Sequence, residues 1–217
     1  MKLMVCVKSC QRDKDWGYHD LIRGTWGKEA RALGIDVKFF MGKSFNPYQS
    51  DEMHLNCPDD YDGLPFKTRE ICKWVSGKMV DFVFLCDTDS YLIPRLMLQT
   101  GFEKYDYAGK IDGDPKVPFK YDAVSRGRVD HIPNCYRWCS GGFGYFLSKR
   151  ALTEVAYAYP ETWAEDLFVG QVLGPMPEMK TLNTPPNIYS WHCPSHGEIY
   201  DPEVLKTWMN QMYRDYR

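Results

Sequence analysis

This 217-residue chain is short of several things, and each shortage closes off a class of protein. It has no surplus of positive charge. Its 27 lysines and arginines face 29 acids, for a formal net charge of −2, where a protein that grips duplex nucleic acid is distinctly basic. It has no run approaching the roughly 18 apolar residues that a membrane span requires. The amino-terminal apolar stretch is stopped at Lys8, too early for a secretory signal peptide, so residues 1–8 read as a first strand. There is no Asn-x-Ser/Thr sequon, no internal repeat and no low-complexity linker. These absences favour a soluble, non-secreted, cytoplasmic protein without nucleic-acid partners. Cysteine is not scarce, at 8, but positions 6, 10, 57, 72, 86, 135, 139 and 193 are scattered, several of them inside predicted strands or helices. That pattern suits reduced cysteines that fill a core.

What is present is ordinary for a globular protein: 44% hydrophobic and 26% charged residues, in a chain long enough for a sizeable core. The most telling stretch is residues 80–86, Val-Asp-Phe-Val-Phe-Leu-Cys, followed by Asp87-Thr88-Asp89. A run so short and so apolar predicts a central strand covered on both faces, as in a parallel sheet. Carboxylates at the carboxyl end of such a strand sit where open α/β sheets bind ligands. Paired hard oxygen donors there suit Mg²⁺ or Mn²⁺ on the phosphates of a nucleotide. Taken alone, Asp-x-Asp also reads as a polar turn that ends a strand.

Strands and helices alternate before this point. A polar turn over residues 9–13 leads to a helix from about His19 to Leu33, with Ile22, Trp26, Ala30 and Leu33 on one face and Gly34 to end it. Strands follow at 35–41 and 53–57. The next helix opens at Leu64-Pro65 and turns Leu64, Thr68, Ile71 and Val75 inward. This alternation predicts a doubly wound α/β architecture. After Asp89 come a short helix at 93–100, a strand at 105–109 and a loop-rich insertion at 112–135, a length that is usually functional. The Gly-rich stretch Cys139-Ser140-Gly141-Gly142-Phe143-Gly144 suits close approach of backbone to a ligand, or a plain hairpin. A helix at 149–159 is capped by Ser148. Glu165 and Asp166 lie in the first turn of another helix, where the dipole stabilises acids whether or not they function. The tail from Asp201-Pro202 is an amphipathic helix with Leu205, Trp208, Met209, Met212 and Tyr216 on one side.

The order of these blocks resembles glycosyltransferase family 31, the β-1,3-galactosyltransferase and Fringe group. Four blocks carry the likeness: Leu21-Ile22-Arg23-Gly24-Thr25-Trp26; Leu64-Pro65-Phe66-Lys67-Thr68; Asp87-Thr88-Asp89; and Cys139 to Tyr145 followed by Glu165-Asp166-Leu167-Phe168-Val169-Gly170. Thr88 departs from the family's acidic triplet, and the chain has neither the anchor nor the sequons of Golgi members, which points to a bacterial, phage or large-virus relative.

The resemblance implies a GT-A fold, a three-layer α/β/α sandwich with a mostly parallel central sheet. It would form one domain over 1–217, with a nucleotide-binding half to about residue 100 and an acceptor half after it. It implies an inverting hexosyltransferase that uses a UDP-sugar donor, a Mn²⁺ or Mg²⁺ cofactor and a glycan acceptor. On that reading Asp89 binds the metal, Asp87 the metal or the ribose, and His192 completes the set, with His196 as its alternative. Asp166 is the base, with Glu165 as the other candidate. Lys67 and Arg12 face the diphosphate, although both also fit solvated positions, and Gly141 and Gly142 shape the floor where the sugars meet. Two rival readings stay open. A nucleotidyltransferase would want a Gly-rich loop after the first strand, and residues 9–15 contain no glycine. A non-catalytic sugar- or zinc-binding module would draw on Cys135, Cys139, His192, Cys193 and His196.

Overall fold

Side-chain alternation along the first strand, Leu3–Lys8 (β1), divides the core in two: Leu3, Val5 and Val7 face one side of the sheet, Met4 and Cys6 the other. The computed structural model describes residues 1–43, 48–113, 137–193 and 201–217. After β1 come α1 (Gln11–Asp15), α2 (Tyr18–Gly24), α3 (Trp26–Ala32), β2 (Asp36–Met41), β3 (Glu52–His54), α4 (Leu64–Ser76) and β4 (Phe82–Asp87). Then follow β5 (Ser90–Leu92), α5 (Pro94–Met97), β6 (Tyr107–Gly109), β7 (Ile111–Gly113), β8 (Arg137–Cys139) and β9 (Tyr145–Ser148). The chain finishes with α6 (Lys149–Tyr157), α7 (Glu165–Leu173), β10 (Thr181–Asn183), β11 (Ser190–His192) and α8 (Pro202–Tyr216).

Among the described residues the main sheet has seven strands in the order β10-β6-β9-β4-β1-β2-β3. β4 pairs parallel to β1, β1 to β2, β2 to β3 and β6 to β10, while β9 alone runs against its neighbours. One face carries α2, α3, α5 and α8 through Ile22, Trp26, Ala30, Met97, Leu205 and Met209. The other carries α4, α6 and α7 through Ile71, Val75, Leu152, Val155, Phe168 and Val169. The α/β architecture expected from the alternation, and the α/β/α layering with a mostly parallel sheet that the resemblance implies, are therefore present. The predicted strand at 80–86 is the sheet's centre: Val83, Phe84, Leu85 and Cys86 are buried, and Leu85→Ala is expected to cost about 2–5 kcal/mol.

Local signals held where a cap spelled them out. Ser148 accepts the Ala151 N–H at 3.2 Å and Asp201 the Glu203 N–H at 2.9 Å, and every described cysteine is a free thiol. Other expectations need correction. The helix predicted over 19–33 is two helices, broken at Thr25, whose hydroxyl bonds back to the Leu21 carbonyl at 2.7 Å; such back-bonding bends helices. The restart changes the phase, and Leu33 is left exposed. The polar turn at 9–13 runs into helix α1, and the helix at 93–100 shortens to four residues. Leu64 is only half-buried, its place on the inner face of α4 taken by Pro65 and Lys67. No described helix is long and apolar enough to cross a membrane. Most of the 112–135 insertion, with Cys135 and His196, lies outside the described residues.

Candidate active site

Parallel pairing in register sets Lys8, the last residue of β1, beside Asp87, the last of β4. The lysine side chain is wholly buried; its ammonium meets Asp87 Oδ1 at 3.2 Å and bonds Glu165 Oε1. Glu165 opens α7, and its Oε2 accepts the Tyr145 hydroxyl of β9 at 2.7 Å and the Thr68 hydroxyl of α4 at 3.4 Å. Three elements, β1, β9 and α4, thus converge on one carboxylate of α7. Burial alone would discharge Lys8, but the Asp87 and Glu165 carboxylates overcome it and hold the ammonium above its ordinary pKa.

On the other side of β4, β5 and β11 pair antiparallel with His192 opposite Ser90, and the Cys193 N–H donates to the Asp89 carbonyl at 3.0 Å. This brings His192 Nε2 to 3.4 Å from Asp89 Oδ2. Burial disfavours the imidazolium, yet the hydrogen bond and charge of Asp89, with Asp87 behind it, raise its pKa above the usual value. Asp87 is pushed up to about 7, first by burial and then by Asp89 and Glu165, against the pull of Lys8. Among the described residues, four carboxylates here, Asp87, Asp89, Glu165 and Asp166, face one lysine and one imidazole.

The turn Gly141–Phe143 joins the two sides. A β-carbon on Gly141 would lie 2.4 Å from Glu165 Oε1, and one on Gly142 would lie 3.1 Å from the His192 ring. A side chain at Gly141 would displace the Glu165 carboxylate, and one at Gly142 would press on the imidazole. The Gly141 N–H donates to Asp166 Oδ2 at 3.2 Å, and the Leu167 N–H to its Oδ1 at 2.8 Å. These helix-end donors favour the anion, but burial and neighbouring Glu165 outweigh them, and Asp166 is pushed up to about 6.

Asp87, Asp89, His192, Gly141, Gly142, Glu165 and Asp166 accordingly share one cluster. Thr88 is buried and donates to buried Asp13 Oδ2 at 2.7 Å; Asp13 Oδ1 in turn meets the exposed Arg12, which lies over the Trp16 ring. Lys67 is buried, not solvated, and its ammonium binds the Ser9 carbonyl and, at 2.9 Å, Asp59. Those contacts tie it to the loop after β1 and not to the rim acids. Sequence reasoning missed Lys8, Asp13 and Tyr145. Lys8 reads as the residue that stops a strand, and nothing local points to partners so far along the chain.

Among the described residues no group of three or more His, Cys, Asp or Glu is spaced to hold a metal by itself. The chemistry of the donors still fits a divalent cation. Asp89 and His192 present an oxygen and a nitrogen 3.4 Å apart, and Asp87 adds a second carboxylate at the same strand end. A cation of the Mg²⁺ or Mn²⁺ kind that takes few protein ligands completes its shell with phosphate oxygens and water.

No protein-family model and no curated protein matches the chain. Solved structures do. A glycosyltransferase involved in the glycosylation of the major capsid of PBCV-1 aligns over 97% of this chain and 100% of its own, at TM-score 0.53 and 10% identity. This chain has a GT-A-type fold. The same fold links it to a putative glucose-1-phosphate thymidylyltransferase from Bacillus anthracis (TM-score 0.54, 12% identity, 100% and 96% covered). It is equally similar to 2-C-methyl-D-erythritol 4-phosphate cytidylyltransferase from Thermus thermophilus (TM-score 0.51, 12% identity, 98% and 99% covered). At these identities the likeness is one of fold, and the GT-A sheet is common to glycosyl and nucleotidyl transfer.

Proposed function

We propose that the chain is an inverting, divalent-cation-dependent glycosyltransferase of the family 31 type, moving a hexose from a UDP-sugar to a hydroxyl of a glycan or glycoconjugate. One observation carries the reading: Asp166, a carboxylate with its pKa near 6, stands across a two-glycine turn from a rim of surplus negative charge that also holds an imidazole. Asp166 is the base. At neutral pH it is ionised yet still basic enough to take the proton of an incoming hydroxyl, a contribution of about 10²–10⁴ in rate. A single displacement assisted by one base inverts the anomeric carbon. Glu165, buried under three donors, is not available for that role.

Asp89 and His192, with Asp87, would hold the cation, which when bound offsets charge on the departing diphosphate. Arg12, exposed at the edge of the rim through Asp13 and Thr88, adds positive charge toward the phosphates. Lys67 acts one step back, by holding the loop after β1. The reading is tested by UDP release from a panel of UDP-sugars with and without Mn²⁺. Mn²⁺-stimulated release that Asp166→Asn loses while still binding UDP is the expected result; no release from any donor overturns it.

Nucleotidyl transfer is the second reading, favoured by the two nucleotidyltransferase neighbours. Against it, the stretch after β1 has no glycine from Ser9 to Asp15 and folds as helix α1 instead of a phosphate-cradling loop. Pyrophosphate release from a nucleoside triphosphate and a sugar phosphate would decide for it.

A further inference from the structure

Glu165 and Lys8 remain buried, charged and without a chemical task in glycosyl transfer. The carboxylate is closed on every side the structure describes. Lys8 takes Oε1, Tyr145 and Thr68 take Oε2, and Gly141 approaches so nearly that its missing methyl would sit 2.4 Å from Oε1. No substrate hydroxyl can reach it there. Lys8 meanwhile holds Asp87 with the same ammonium. One buried cation therefore touches both the acid rim at the end of β4 and the first residue of α7, whose second residue is Asp166.

We propose that Lys8 and Glu165, steadied by Tyr145, are positioning residues that set the spacing between the cation-binding rim and the base. This deepens the glycosyl-transfer reading and rests on it. The physical case is one of reach. Asp166 sits on a helix end, held to the rest of the site, among the described residues, by a 3.2 Å bond from the Gly141 N–H besides the bond from its own neighbour Leu167. The first turn of a helix frays unless something anchors it, because its end groups lack intrahelical partners. The side chain of the N-cap residue, Ala164, makes no capping bond to α7. Glu165 supplies the anchor instead, through contacts with β1, β4 via Lys8, β9 and α4. A shift of about 1 Å in a reacting group can cost on the order of a hundredfold in rate, so fixing this turn matters more to turnover than to binding.

Tyr145→Phe is the mildest way to loosen the anchor, since it removes one hydroxyl and no charge. Lys8→Met with Glu165→Gln removes both charges together and avoids leaving either one buried alone. In both variants we expect kcat for transfer to fall at least tenfold; in Tyr145→Phe, which removes no charge, KM for the UDP-sugar and affinity for UDP stay within twofold and the acid limb of the kcat profile keeps the position set by Asp166. Amide exchange in residues 165–168 should quicken, with α6 unchanged. Wild-type kcat in both variants, or a loss confined to donor KM, overturns the proposal; so does unaltered exchange in the first turn of α7. Failure of the underlying reading looks different: wild-type protein would release no UDP, or Asp166→Asn would turn over fully. The exchange measurement still decides the positioning role in that case.

Discussion

Two buried charge clusters flank the end of β1. On the β3 side, Glu52 is completely buried and accepts from Lys14 at 2.6 Å, His19 at 2.8 Å, Arg23 at 2.8 Å and the Gln49 N–H at 2.9 Å. Burial would raise its pKa, but Lys14, His19, Gln49 and Arg23 drive it well below the ordinary range. On the β4 side, Asp87, Asp89, Glu165 and Asp166 share Lys8 and His192, and two of those acids are driven upward, to about 7 and about 6. The residue types are much the same. The balance of charge is opposite. The first cluster answers a carboxylate with an excess of donors and so holds β3 and α2 in place. The second leaves carboxylates in excess, at a cost in stability, and is poised for protons and cations. The Ser9 hydroxyl, 2.7 Å from His19 Nε2, gives the first cluster the outline of a catalytic relay. Its carboxylate is already engaged by Lys14 and Arg23, and burial lowers the His19 pKa, so it remains a structural joint.

The contrast can be broken most severely through chemistry. Asp166→Asn is expected to lower transfer by about 10²–10⁴, measured as sugar-dependent UDP release, while Glu52 variants that fold retain the wild-type rate per folded molecule. Next in size, Glu52→Ala removes the buried acceptor shared by Lys14, His19 and Arg23, although Arg23 keeps Asp20 and Asp51. It should lose about 3–5 kcal/mol in chemical denaturation, as expected when one member of a buried pair is removed.

A divalent cation sharpens the contrast from the other side. Mn²⁺ at a hundred times its dissociation constant should stabilise the wild type by about 2.7 kcal/mol and Asp89→Asn far less, with no metal effect traceable to Glu52. Smaller still, Asp166→Asn without metal should raise stability by about 1 kcal/mol, because an acid whose folded pKa lies above its unfolded value is destabilising once ionised.

The pH dependence follows with two signs. Asp166 and Asp87 hold protons more tightly folded than unfolded, so their ionisation removes stability as pH rises from about 4 toward their folded values of about 6 and 7. Glu52 does the reverse: its contribution is complete above its unfolded pKa of about 4.3 and is lost as pH falls below that. Metal-free protein should therefore melt highest near pH 4 and lose stability from there toward pH 7, whereas transfer should climb as pH rises through about 6. A melting temperature that rises steadily from pH 5 to 8 would contradict the reading of the acid-rich cluster.

Much of this was legible in the sequence, for a physical reason. A strand buried on both faces must be apolar throughout, so β4 and the acids after it announce themselves, and an acid pair at a helix start is visible in α7. Lys8, Asp13 and Tyr145 were not legible, because what makes them part of the site is pairing register and packing between distant elements. The break at Thr25 escaped for a subtler cause: the apolar spacing of Ile22, Trp26 and Ala30 is satisfied by one helix or by two, and a single hydroxyl decides. Lys67 shows the opposite hazard. A lysine on a helix looks like a solvated residue or a phosphate contact until its burial against Ser9 and Asp59 is seen.

The reversed direction of β9 has a consequence for how such a site is assembled. Six aligned strands finish at one edge of the sheet, but β9 begins there. The loop leading into it, with its pair of glycines, is delivered to that edge by topology, whatever its own sequence prefers. A turn from late in the chain is thereby laid against residues at and just past the end of the earlier strand β4, with the Ser90 hydroxyl 3.2 Å from the Gly142 carbonyl, and both walls of the site are tied to the same layer. Variation in substrate could then be explored in the long segments between strands without disturbing the spacing of the walls.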